Sequence, residues 1–131
     1  MTQHAKGTFD VKVVPIGTED KERDPGIGRM SLNKDFQGDF VGSGKGEMLT
    51  GGTDVKESGA YVAIERVTGT LQGRTGSFML AHRGTMARGK YNLEIDIVPD
   101  SGTGELAGIA GSLTITIVEK KHFYELSYTL E

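Results

Sequence analysis

Cysteine is absent from this 131-residue chain, which excludes disulfides, thiol catalysis and Cys-ligated zinc or iron–sulfur centres while leaving the compartment open. The three histidines, His4, His82 and His122, are too scattered for a recognisable metal spacing, and neither an HExxH helix nor an EF-hand loop is present. No metal or other cofactor is expected. An excess of basic charge is also missing: 15 Lys and Arg against 18 Asp and Glu give a formal net charge of −3, which argues against a dedicated nucleic-acid binder. No apolar run approaches the roughly 20 residues that span a bilayer, and the opening MTQHAKG lacks the charged start and apolar stretch of a secretion signal. A cytoplasmic protein without nucleic-acid or membrane partners is the expectation.

Proline is scarce, at three residues, whereas glycine reaches 20, a share about twice the usual one. With Val, Ile, Thr and Leu making up much of the remainder, this is the composition of tightly turned antiparallel strands rather than of disorder. Length allows one domain, residues 1–131. The stretch YNLEIDIVPDSGTGELAGIAGSLTITI, Tyr91 to Ile117, contains two runs that alternate apolar and polar residue by residue. Such alternation marks strands with one dry and one wet face. It recurs along the chain and predicts eight strands, at 6–14, 28–36, 38–49, 58–71, 74–87, 91–99, 111–119 and 121–130. No amphipathic helix is apparent. Gly102–Ala110 is compatible with one short helical turn bounded by glycine.

Eight strands with one dry face each and no helix to cover it bury that face most economically by closing on themselves. A two-sheet sandwich is the competing solution, but short sequential connections favour an all-β, eight-stranded antiparallel up-and-down barrel. Strand parity then assigns an interior. In the last hairpin, Leu113, Ile115 and Ile117 share a face with His122, Tyr124, Leu126 and Tyr128. Phe9, Val11 and Val13 point inward from the first strand, and Tyr91, Leu93, Ile95 and Ile97 from the sixth. Gly42, Gly44 and Gly46 occupy one face of the third strand, permitting strong coiling or making room for something inside. The segment Pro15–Ile27, with six consecutive charged residues from Glu19 to Asp24, reads as a solvated rim loop, with a lid as the alternative.

A two-residue turn at Gln72-Gly73 pairs Val67 with Phe78, Glu65 with Leu80, Ala63 with His82 and Tyr61 with Gly84 on one face. Glu65 and His82 become diagonal neighbours, roughly 7–8 Å apart at the backbone, within reach of a carboxylate–imidazole contact. If this face lines the barrel, Glu65 and His82 are candidate proton-transfer groups, and Tyr61, Phe78, Leu80, Tyr124 and Tyr128 are candidate ligand-binding residues. A buried pair that only satisfies itself is the structural alternative. The opposite face, with Val62, Ile64, Met79 and Ala81, is apolar enough to be the inner one; if outside, it is a patch suited to a dimer or trimer. Arg66, Arg74, Arg83 and Arg88 are read as solvated surface. GSGKGE at Gly42–Glu47 lacks both the Walker spacing and a following helix, so it is not read as a phosphate site.

The segments GEMLTGGTDVKESGAYVAIERVTGTLQGRTGSFMLAHRGTM at 46–86 and VPDSGTGELAGIAGSLTITI at 98–117 resemble a bacterial family of unknown function grouped with the allene-oxide-cyclase-like barrels. The resemblance runs from Gly7 to Leu130. GTGELAGIAG, Gly102 to Gly111, is similar to the Gly-Thr-Gly turn and following Ala/Gly elements of plant allene oxide cyclases and dirigent proteins. It implies an eight-stranded antiparallel barrel, often oligomeric, with a cavity at one end. Cyclases of that kind act mainly by holding an unstable apolar substrate in a productive shape. The leading expectation is a barrel that binds a small, largely apolar molecule. An isomerase or cyclase using Glu65 and His82 in the same cavity, and a filled barrel acting through its surface, are the alternatives.

Overall fold

A computed structural model describes residues 1–130. It contains nine strands and, among the described residues, no helix: β1 (Gln3–Pro15), β2 (Ile27–Gly38), β3 (Phe40–Gly52), β4 (Gly59–Leu71), β5 (Arg74–Ala87), β6 (Lys90–Ile97), β7 (Thr103–Gly104), β8 (Ala110–Val118) and β9 (Lys121–Thr129). Eight of them pair antiparallel in a ring, β1 through β6 followed by β8 and β9, with β9 returning to β1. Closure pairs every long strand of the ring on both sides, though β6 and β8 meet at one ladder pair only. The eight long strands fall where alternation places them, with ends displaced by a few residues.

The turns that set the register are local chemistry. Gln72 and Gly73 both have positive φ, 46° and 89°, the twist that matches a two-residue hairpin to its strands. Glu119 and Lys120 do the same at 50° and 68°. Around the first turn the ladder joins Val67 to Phe78, Glu65 to Leu80 and Ala63 to His82, so the period-two reading of this hairpin holds. The face bearing Glu65 and His82 is the inner one. Val62 and Ile64, 50% and 51% exposed, look outward beside Leu49 of β3.

Along the barrel axis the interior divides in two. At the end formed by the β2–β3 and β4–β5 turns it is filled by Phe9, Phe36, Phe40, Phe78, Tyr124 and their neighbours. Each such side chain contributes about 1.5–3 kcal/mol by leaving water. The segment between β6 and β8 closes this end. Gly102–Ala110, compatible in sequence with one short helical turn, forms no helix. Two of its residues instead become β7, bonded to β5 at Gly76 and Ser77. Tight turns then follow, with Leu106 N–H donating to Thr103 and Ile109 N–H to Leu106. This drives Leu106 and Ile109 into the barrel as a stopper, almost wholly buried.

Toward the other end, where the β1–β2, β3–β4, β5–β6 and β8–β9 connections lie, the interior is not filled. The ring is also thinnest there. β6 and β8 share a single ladder pair, Asp96 with Ser112, whereas β4 and β5 share thirteen. Beyond Asp96 and Ser112, toward the rim, the two strands run on without a ladder between them.

Candidate functional site

The boundary between the filled and open halves is a buried ionic cluster. Lys34 comes from β2, Glu65 from β4 and His82 from β5, each on an inward position. Lys34 and Glu65 are separated by all of β3, and glycine is what lets them meet. Lys34 is opposite Gly44, and Glu65 opposite Gly46. A Cβ on Gly44 would lie 2.8 Å from Glu65 Oε2, and one on Gly46 would lie 2.1 Å from the Ile64 carbonyl and 2.6 Å from Glu65 Cα. The glycine stripe of GSGKGE is thus the space in which a lysine reaches across a strand.

Glu65 Oε1 accepts from Lys34 Nζ at 2.8 Å and from His82 Nε2 at 2.7 Å. Among the described residues Glu65 Oε2 has no hydrogen-bond partner. Burial by itself would raise the Glu65 pKa, but the His82 hydrogen bond and the Lys34 charge outweigh it and hold the carboxyl below its ordinary range. The ammonium of Lys34 also sits 4.9 Å from the centre of the Phe9 ring, a cation–π contact that helps keep it in an apolar wall.

Above this floor lies a cavity of about 520 Å³. Its walls are mostly apolar, with Phe9, Val11, Leu32, Met48, Leu93 and Ile115 among them, and Lys34, Tyr61, His82 and His122 supply polar groups. Tyr61 lies across Gly84, its ladder partner, so closely that a Cβ on Gly84 would be 2.4 Å from the ring. The glycine accepts the aromatic ring in place of a side chain. Desolvation first, and the nearby Glu65 charge second, raise the Tyr61 pKa and keep its hydroxyl protonated. His122 packs against Phe9, with ring centres 5.1 Å apart and planes tilted by 38°.

Of the residues singled out in the sequence, Glu65 and His82 meet at the floor and Tyr61 lines the cavity. Phe78 and Leu80 pack in the filled half. Tyr124 accepts from the Phe40 N–H at 2.9 Å and donates to the Gln37 carbonyl at 3.0 Å, a bridge that pins the β2–β3 turn. Tyr128 donates to Gln72 in the β4–β5 turn. These last four do not line the cavity, and neither does any residue of the loop between β1 and β2. Lys34 was missed in the sequence, although its inward parity between Leu32 and Phe36 marks it as a charge aimed at the core.

Residues 5–128 match a family model described as "Protein of unknown function (DUF3224)". The crystal structure of a protein with unknown function from the DUF3224 family of Shewanella oneidensis MR-1 is similar over 100% of this chain and 99% of its own, at 43% identity and a TM-score of 0.91. No curated protein matches the chain. With the family pattern running through nearly every strand and a member of the same family sharing the entire barrel, the chain belongs to the DUF3224 family.

Proposed function

We propose that the open half of the barrel binds one small, largely apolar molecule whose polar end rests on Lys34, His82 and Tyr61. The observation that carries this reading is the apolar cavity of about 520 Å³ ending on a buried ion pair. Its volume is that of ordinary small-molecule sites, roughly 300–1,000 Å³ with a few polar groups in an apolar lining. A barrel selected only for stability gains little from such a floor, because buried ion pairs seldom outperform apolar side chains of similar size.

The test is titration with anilinonaphthalene sulfonate, an apolar fluorophore carrying one anionic group. Saturable binding at one site per chain is expected, with displacement by decanoate. Ile115→Trp, which puts an indole into the cavity wall, should remove it. Failure of the fluorophore to bind, or binding that Ile115→Trp leaves unchanged, would overturn the reading.

The isomerase or cyclase alternative rests on the same cavity and on the resemblance to allene oxide cyclases and dirigent proteins. Self-association with a second copy is proposed through the outer strip of Leu49, Val62 and Ile64, which are adjacent across β3 and β4 and about half exposed. A light-scattering mass near 14.1 kDa across the micromolar range would remove that proposal.

A further inference from the structure

The carboxylate of Glu65, while ionised, only accepts hydrogen bonds, so the His82 Nε2 that lies 2.7 Å from it carries the proton. In the neutral imidazole this leaves Nδ1 as a bare lone pair. Among the described residues Nδ1 has no hydrogen-bond partner, and it is not among the fully buried polar atoms left without one. His82 is one of the residues that line the cavity. Lys34 also lines the cavity, and among the described residues its ammonium has Glu65 Oε1 as its one acceptor, although it carries three N–H bonds. A base and a cation with spare donors therefore sit on the same carboxylate oxygen, at the foot of an apolar pocket.

We propose that this floor is a general-base site for carbon acids: His82 Nδ1 removes a proton from carbon, and Lys34 stabilises the negative charge that develops on an oxygen of the same substrate. The inference rests on the reading of the cavity as a ligand site and adds the substrate class, an apolar molecule with an acidic C–H conjugated to an oxygen function. For a C–H beside a carbonyl, the C–H electron pair becomes the C=C bond of an enolate. The carbonyl π pair moves to the oxygen held by Lys34, and the proton rests on His82 as imidazolium. Where the substrate also carries a β,γ C=C bond, the anion is a dienolate, and return of that proton to the γ-carbon gives the conjugated α,β isomer with no oxidant, reductant or co-reactant consumed. Glu65 is a positioning residue. It fixes the tautomer and stabilises the imidazolium, as a carboxylate does behind the base of a hydrolytic triad, while balancing the Lys34 charge.

The natural substrate is not needed for the test. 5-Nitrobenzisoxazole reports a buried base. Loss of its ring C–H proton forms a nitrile as the N–O bond breaks, and the electrons end on a phenolate oxygen that Lys34 is placed to stabilise. 5-Nitroindazole has the same outline without the N–O bond and reports binding alone. The native protein should bind the indazole and turn over the isoxazole. His82→Ala, and His82→Gln if the alanine variant is poorly folded, should lower turnover by about 10²-fold or more, well beyond any loss of indazole affinity. Lys34→Met should lower it again, by more than it weakens indazole binding. In ¹⁵N spectra of histidine-labelled protein, His82 should show an unprotonated Nδ1, and Glu65→Gln should shift the tautomer balance. Indazole binding with a rate that the His82 variants do not change, or a protonated Nδ1 beside a bare Nε2, would overturn the inference. Absence of indazole binding would instead overturn the cavity reading on which it rests.

Discussion

His82 Nε2 lies 2.7 Å from Glu65 Oε1 along a diagonal of the β4–β5 ladder, Glu65 standing opposite Leu80 and His82 opposite Ala63. The same oxygen holds Lys34, and the Lys34, Glu65 and His82 side chains are only 6%, 0% and 3% exposed. Its energetics are asymmetric. Replacing Glu65 by Leu strands a buried ammonium, at a cost of about 3–5 kcal/mol. Replacing all three together, Lys34→Met, Glu65→Leu and His82→Leu, removes the desolvation penalty along with the attraction and should leave the barrel as stable as native or more so by about 1–4 kcal/mol. Chemical denaturation of the two variants measures this, with probe binding lost in both. A triple variant as unstable as Glu65→Leu alone would make the cluster a structural necessity.

Stability should form a plateau bounded by two kinds of group. Burial raises the Glu65 pKa, but the His82 hydrogen bond and the Lys34 charge bring it below its ordinary value of 4.5. The contribution of Glu65 is therefore complete above about pH 4.5 and lost as pH falls through the lower folded-state value. Burial raises Tyr61, Tyr124 and Tyr128 above their ordinary value of 10.0. Their contribution is present below pH 10 and lost as pH rises through the folded-state values. A melting temperature recorded against pH should fall on both sides, and Glu65→Gln should flatten the acid limb only. An unchanged acid limb in that variant would assign acid unfolding to other carboxylates.

The ring of strands, the hairpin register and the inward parity of Glu65 and His82 were all legible in the sequence, because each follows from period-two alternation and turn geometry, which are local. Lys34 was not singled out. Its partner lies two strands away, and nothing in the run SLNKDFQ shows that the strand between will be glycine at the crossing point. The glycine stripe implies room on one face of the third strand; what occupies the room depends on register across three strands. Nor does alternation say where a barrel stops being filled. Phe78 and Tyr61 share a face, yet the stopper of Leu106 and Ile109 comes from a segment whose helix-tolerant Glu105, Leu106 and Ala107 between glycines are compatible with a helical turn, so the two ends of that face have different surroundings.

Gly46 should be intolerant of even one methyl group. The clash of its Cβ would be with backbone, the Ile64 carbonyl at 2.1 Å and Glu65 Cα at 2.6 Å, so a flexible side chain cannot yield to it. Gly46→Ala is expected to destabilise by about 1–3 kcal/mol or more, as overpacking does, and to push Glu65 away from Lys34. Gly52→Ala is the control, since nothing lies within 4 Å of a Cβ there. Equal thermal stability of the two variants would contradict the close approach of β3 and β4.

The single ladder pair between β6 and β8 predicts where the cavity is reached. Continuing the register from Asp96 and Ser112 places Leu93 opposite Ile115 and Tyr91 opposite Ile117, and all four line the cavity. Tyr91 and Ile117 are nonetheless 81% and 62% exposed. Apolar side chains that face both the solvent and an apolar interior, at the one seam without a continuous ladder, form the lips of a lateral opening. The outward positions Glu94 and Thr114 fall opposite one another in the same register, and the chain has no cysteine of its own to compete with an engineered pair. Oxidised Glu94→Cys/Thr114→Cys protein should take up and release anilinonaphthalene sulfonate more slowly than the same protein after reduction, with its equilibrium affinity little changed, because the cross-link restrains opening without altering the cavity wall. Stopped-flow association in the two redox states makes the comparison within one sample. Equal rates would place the route at the rim between the β1–β2 and β8–β9 turns instead.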